Sequence, residues 1–341
     1  FVTLLHGGAV ALKRKLRLRM AMLEWASKCV PPASINPRFF DPSVMFPPII
    51  IPRSWSKPYF FPRPSRVKPP IKKDTTRRIY LIRNGETAGM GTQREDVAYR
   101  NHCVYAKMDI NQAVVTVSRA SGPDAYADDP PLTQVGYSGA QLVGRSLSKR
   151  TLNIHTVYSS PSLRCIQTAV SVIGAINAKK PLKIRIEPAL FEPLRFCTKI
   201  PSFLSSSDLD FNGYNVDDKY MPMMSIDDLK ASLKTEMRPR DVYARAERAV
   251  QRILAGRKEG GVLVVSHAPI LDAIYRSLTG RKDMPRTLGD LQRMVHSYPP
   301  CSVITLQQDP MSLKWENREH LVEPLSYWHV TTMVNVPSFD S

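Results

Sequence analysis

"IYLIRNGETAG", residues 79–89, is the stretch on which the reading of this chain turns. Ile79 to Ile82 are apolar, the composition of a buried strand. A polar turn follows at once, with Arg83, Asn84, Gly85, Glu86 and Thr87 in succession. Open α/β sheets hold ligands at the carboxyl ends of their strands, so a strand that runs into such a turn marks a candidate site.

Downstream of it, strand-like and helix-like segments alternate. "LTQVGYSGAQLVGRSLSKR" (132–150) has helical spacing, with Leu132, Val135, Ala140, Leu142, Val143 and Leu147 predicted as its apolar stripe. "HTVYSSP" reads as a second strand and "SLRCIQTAVSVIGAI" as a second helix, with Pro161 near its first turn. "LKIRIEP" alternates as a third strand. "RDVYARAERAVQRILAG" (240–256) is a patterned helix with Gly256 as its stop. "GVLVVSH" is an apolar strand, "APILDAIYRSLTG" a helix and "SVITLQQ" a last strand. This alternation predicts a three-layer α/β/α sandwich with a mainly parallel sheet. No internal repeat is visible.

The 341 residues suffice for one large or two ordinary domains. No apolar run approaches the roughly 18–20 residues that span a bilayer. The five cysteines are odd in number and scattered, which fits reduced thiols in a cytoplasmic protein better than a disulfide framework. The histidines show no short-range pairing of the kind that ligates zinc, so no metal is predicted.

The net charge of +18 is unevenly spread. Residues 1–78 hold 16 Lys/Arg and 3 Asp/Glu, whereas the remainder holds 32 and 27. Twelve prolines fall between 31 and 70, which removes backbone donors and predicts an extended linker. Residues 1–76 are therefore read as a basic, proline-rich arm, 77–325 as the folded domain and 326–341 as a tail. The arm has the charge to touch an anionic surface, though nothing in it specifies a nucleic acid. Its first 30 residues leave mitochondrial targeting open, because residues 1–19 are rich in Arg and Lys and free of acids.

Three strand ends carry phosphate-suitable groups. The first is Arg83 to Thr87; the second is Ser159-Ser160 followed by Arg164; the third is Ser266-His267. Helix starts near them offer N–H groups to anions. Two arginines can grip a phosphate bidentately, and a histidine can donate to a phosphoryl oxygen. Glu192, in "LFEP", is suited to give or take a proton.

"RNGET" resembles the R-H-G-E-T motif of the histidine phosphatase superfamily, the phosphoglycerate mutase-like fold. The resemblance extends through "DDPPLTQVGYSGAQLVG", "VYSSPSLRCIQTA", "LKIRIEPALFE", "YNVDDKYMP" and "VLVVSHAPILDAI", over residues 77–320. It is strongest to the branch holding the ubiquitin-associated and SH3-domain-containing proteins and the ecdysteroid-phosphate phosphatases. The resemblance implies phosphate binding by Arg83, Arg164, His267 and Thr87, with transition-state charge stabilised by His267 and a proton supplied by Glu192. It implies a homodimer, a phosphorylated small molecule or phosphoprotein as ligand, and no cofactor.

The family mechanism passes through a phosphohistidine, and its nucleophile position falls on Asn84. An amide nitrogen has a delocalised lone pair and is a donor, not a base. The covalent route is closed to it. The resulting expectation is a phosphate-binding pseudophosphatase or very weak enzyme, with an active phosphatase for phosphotyrosine or other phosphomonoesters as the alternative. A substitute nucleophile at Cys103 lacks its arginine, since Asp109 stands six residues on; His102 is a second candidate. Thr87 and the "PLRF" after Glu192 also depart from the branch, which puts phosphotyrosine preference in doubt.

Overall fold

The computed structural model describes residues 76–88, 110–113, 117, 125–149, 153–176, 178, 181–197, 199–256, 259–327 and 330–339. Residues 1–75 of the proline-rich arm, His102 and Cys103 lie outside the described residues. The central strands form where apolar residues run continuously. Arg78–Arg83 is β1, Ile154–Ser159 β2, Ile184–Ile186 β3, Gly261–Ser266 β4, Val303–Gln308 β5 and Trp315–Asn317 β6. Four long helices flank them: α1 (Gln134–Lys149), α2 (Leu163–Gly174), α3 (Pro239–Ala255) and α4 (Ala268–Thr279).

The six strands form one sheet in the order β3-β2-β4-β1-β5-β6. The first four are parallel, as the alternation with helices predicts. β5 pairs antiparallel with β1, and β6, which the sequence pattern did not reveal, pairs antiparallel with β5. At three residues, β6 is too short for a period-2 pattern to register.

Alternation along the central strands divides the core in two. Ile79, Leu81, Val262 and Val264 face the layer that contains α3 and α4. Tyr80, Ile82, Leu263 and Val265 face the layer that contains α1 and α2. Each such side chain contributes about 1.5–3 kcal/mol on burial, and strands buried on both faces become apolar throughout.

Helix α1 departs from the predicted stripe. Gly136, Ala140, Val143, Gly144 and Leu147 are buried, whereas Leu142 is exposed. Two glycines allow the backbone to approach its neighbours: a Cβ on Gly144 would lie 2.3 Å from the Val172 carbonyl oxygen. The seam therefore centres on the small residues and rotates Leu142 off the interface. The helix starts after Leu132 and Thr133, which form bridges to Thr87 and Ala113. Gly256 caps α3 as predicted. Beyond residue 325, Ser326–Tyr327 pairs with Val330–Thr331, and Val334, Val336 and Phe339 pack on the α3–α4 core.

Candidate active site

The register Arg83↔Ser266 and Ser159↔Val265 brings the carboxyl ends of β2, β4 and β1 level. The chain then leaves β2 and β4 toward opposite layers, which opens a crevice at the strand ends. Hydrogen bonds continue the ladder just past the strands: Asn84 N–H donates to the Ser266 carbonyl at 2.9 Å, and Ser160 N–H to that of Val265 at 3.0 Å.

His267 stands in this crevice as the N-cap of α4 and is 4% exposed. Its Nε2 lies 2.9 Å from Ser160 Oγ, 3.4 Å from Ser162 Oγ and 3.6 Å from Cys165 Sγ. Its Nδ1 lies 3.4 Å from Arg164 Nη2 and 3.9 Å from Glu192 Oε2. The Phe191 ring packs edge-on against the imidazole, centroids 5.6 Å apart. Burial, reinforced by Arg164, Arg83 and Arg245, pushes its pKa well below the ordinary histidine value. His267 is therefore neutral at pH 7.

Arg164 projects from the first turn of α2. The start of that helix is held by Asp129, whose carboxylate accepts from Leu163 N–H at 2.8 Å. Burial opposes the charge on Arg164, but Glu192, with smaller help from Asp129, raises its pKa above the ordinary value. Arg83 differs. Burial lowers its pKa to about 10, and Arg164 pushes in the same direction. Its Nη1 donates to the carbonyls of Val295, at 3.2 Å, and of Tyr298.

Asn84 is 7% exposed at the tip of β1. Its Nδ2 donates to the Gly85 carbonyl at 2.9 Å, and its own carbonyl accepts from Cys301 N–H at 3.3 Å. Cys301 holds a left-handed φ of 61°, rare for a residue with a Cβ. Gly85 lies against α1: a Cβ there would meet the Gly136 carbonyl oxygen at 2.8 Å.

The structure thus brings together Arg83, Asn84, Arg164, Glu192 and His267. Thr87 sits apart in role. It is buried and paired through its backbone with Leu132, and no hydrogen bond among the described residues joins it to Arg164 or His267. Sequence reasoning missed the residues that hold the site. Arg245, 2% exposed, hydrogen-bonds the carbonyls of Ala189, Phe191 and Glu192 at 2.8, 2.7 and 3.0 Å. It could have been found as a charge on the apolar face of α3, one helical turn from Ala249. Asp272 and Tyr298 were missed as well.

Cys165 and Cys301 are free buried thiols whose pKa values burial pushes up to about 12. Cys197, half-buried beside Glu192 with 3.6 Å between Sγ and Oε1, is likewise free and raised to about 12 by burial and then by Glu192. No described helix is long and apolar enough to cross a membrane.

The family model of the histidine phosphatase superfamily (branch 1) matches residues 118–193 and 218–318. The chain is 32% identical over 241 residues to the ecdysteroid-phosphate phosphatase of Drosophila melanogaster, covering 68% of this chain and 30% of the relative. It is 29% identical over 215 residues to human ubiquitin-associated and SH3 domain-containing protein A, covering 62% and 32%. The matched region spans about a third of the length of these relatives. Among solved structures, the ecdysone phosphate phosphatase of Bombyx mori in complex with tungstate superposes with a TM-score of 0.63 at 27% identity. That match covers 74% of this chain and 96% of the other.

Proposed function

The chain belongs to the histidine phosphatase superfamily, and from that membership we propose that it binds phosphate or a phosphorylated ligand with little or no turnover. The observation that carries this reading is Asn84 at the tip of β1. It occupies the place of the attacking group, yet its amide nitrogen is a donor already turned to the Gly85 carbonyl. It cannot form a phosphoryl intermediate of useful lifetime.

The surrounding groups support binding. Arg164 and Arg83 supply positive charge in a buried crevice, where each charge acts over a low effective dielectric. An incoming oxyanion competes with Glu192 for Arg164, and the displaced side chain stays beside the ligand, where once protonated it could serve a leaving group as acid. The Bombyx mori relative was solved with tungstate, an oxyanion of phosphate shape, which supports the same class of ligand here.

The alternative is hydrolysis of phosphotyrosine or other phosphomonoesters by this chain, supported by the names of its relatives. It needs a nucleophile other than Asn84. Cys165 and Cys301 are poor substitutes, because the thiolate is the nucleophile and burial suppresses it.

The test is hydrolysis of an aryl phosphate and a phosphotyrosine peptide by the native chain and Asn84→His, with tungstate binding measured on both by calorimetry. Tungstate binding by both, with turnover only in the histidine variant, supports the reading. Turnover by the native chain at a rate Asn84→His barely raises sinks the pseudophosphatase half; absence of tungstate binding sinks the other.

A further inference from the structure

Arg83 is anchored at a loop, and that loop is anchored in turn by the end of the described chain. The loop is Val295–Ser302. It accepts from Arg83 Nη1 at the carbonyls of Val295 and Tyr298, and from Arg83 N–H at that of Ser302, at 3.0 Å. It also donates, through Cys301 N–H, to the Asn84 carbonyl. Every one of these contacts uses loop backbone, so they hold only while the loop keeps its conformation.

Two ties hold it. The Tyr298 hydroxyl donates to Oδ1 of Asp272, a carboxylate with no solvent exposure that also receives the Tyr243 hydroxyl and Arg276 Nε, the last at 2.7 Å. The second tie is Asn335 N–H to the Ser297 carbonyl at 3.1 Å. Arg276 joins the two, since its Nη2 donates to the Pro337 carbonyl at 2.6 Å and its guanidinium lies 4.9 Å from the Phe339 ring centroid. Phe339 N–H donates to Asp283, which is itself paired with Arg276 at 2.7 Å. Val334 and Val336, half-buried, pack against the same core.

We propose that residues 334–339 act as a strap which, with Asp272 and Tyr298, positions Arg83 for oxyanion binding. The inference rests on the phosphate-binding reading above and adds its structural control. Tyr298, Asp272 and the strap are positioning elements, since they act through the loop backbone that holds Arg83 and make no hydrogen bond to Arg164, Glu192 or His267 among the described residues. The physical reason is that a buried guanidinium with no fixed acceptors swings toward whatever carbonyls are near. A rigid carbonyl pair holds it in one orientation, so no orientational freedom is lost when the oxyanion arrives.

The experiment compares the full chain with a chain ending at Met333 and with Tyr298→Phe, which keeps the carbonyl and loses only the hydroxyl. Tungstate affinity is measured by calorimetry, and amide exchange is followed at Cys301 and Ser302, with β4 as internal control. We expect affinity to fall about tenfold in the shortened chain, the size of one charge-assisted hydrogen bond, and about threefold in Tyr298→Phe. Exchange at Cys301 and Ser302 is expected to quicken in both while β4 is unchanged. Affinity within about twofold of the full chain in both variants overturns the proposal, whatever exchange does. Weakened affinity with unchanged exchange overturns it too, because the effect then bypasses the loop. If the full chain binds no tungstate, the phosphate-binding reading falls, and exchange alone decides: unchanged rates at Cys301 sink the strap, and faster rates support it. If the shortened chain does not fold, Tyr298→Phe decides by the same criteria.

Discussion

Arg245 and Glu236 form a buried ion pair, Nε to Oε2 at 2.6 Å, whose two members grip the segment that carries Glu192. The arginine takes three carbonyls of that segment, at Ala189, Phe191 and Glu192, and the glutamate accepts from Leu194 N–H at 2.9 Å. Breaking such a pair from one side leaves a buried charge and stranded carbonyls. Arg245→Met is expected to cost about 3–5 kcal/mol in urea unfolding. Arg245→Lys is expected to recover the smaller part, because an ammonium cannot reproduce the fork. A loss below about 1 kcal/mol for Arg245→Met would show that the segment holds itself.

His267 sets a pH dependence of stability. Its folded pKa is depressed by burial and by Arg164, so the unfolded chain takes up a proton that the folded chain refuses. Stability from this group is present above the unfolded pKa of about 6.5 and is lost as pH falls toward the folded value, by up to about 1.4 kcal/mol per pH unit. Urea midpoints between pH 7.5 and 5 should therefore fall less steeply in His267→Asn than in the native chain. Equal slopes would mean that the folded chain takes up the His267 proton as readily as the unfolded chain does.

Arg164 is the crevice arginine whose charge Glu192 holds in place against burial. Arg164→Ala should abolish tungstate binding detectable by calorimetry, and Arg164→Lys should weaken it by about tenfold or more, because a point charge replaces a planar fork. Binding that survives Arg164→Ala would relocate the anion site to Arg83 or outside the crevice.

Two glycines give opposite expectations. A Cβ on Gly136 would lie 2.2 Å from the Glu86 carbonyl oxygen and 2.8 Å from its nitrogen, both backbone atoms that cannot swing aside. Gly136→Ala should destabilise by about 1–3 kcal/mol and disturb the turn after Asn84. A Cβ on Gly174, the last residue of α2, meets nothing within 4 Å. Gly174→Ala should stabilise by about 0.4–1 kcal/mol through the unfolded chain. Thermal melts of both variants check the pair.

Most of the fold and the chemical groups of the site were legible from local pattern. Runs such as Val262–Val265 are apolar at every position because both faces of the sheet are covered, and that alone separates a buried parallel strand from an amphipathic one. Arg83, Asn84 and His267 announce themselves as polar residues at the ends of such runs, and Arg164 and Glu192 follow a few residues beyond two other strands. The Asn84 amide nitrogen is a hydrogen-bond donor in the sequence as in the fold, where it donates to the Gly85 carbonyl. The supporting groups were not legible, because their roles depend on partners far along the chain. Arg245 meets Ala189 across 56 positions, and Arg276 meets Pro337 across 61. Leu142, apolar and placed on the predicted stripe, is exposed because two glycines let α1 pack along a different line. Residue chemistry and short-range periodicity are local properties and can be read along the chain. Charge state, orientation and reach are set by desolvation and by neighbours that only folding brings together.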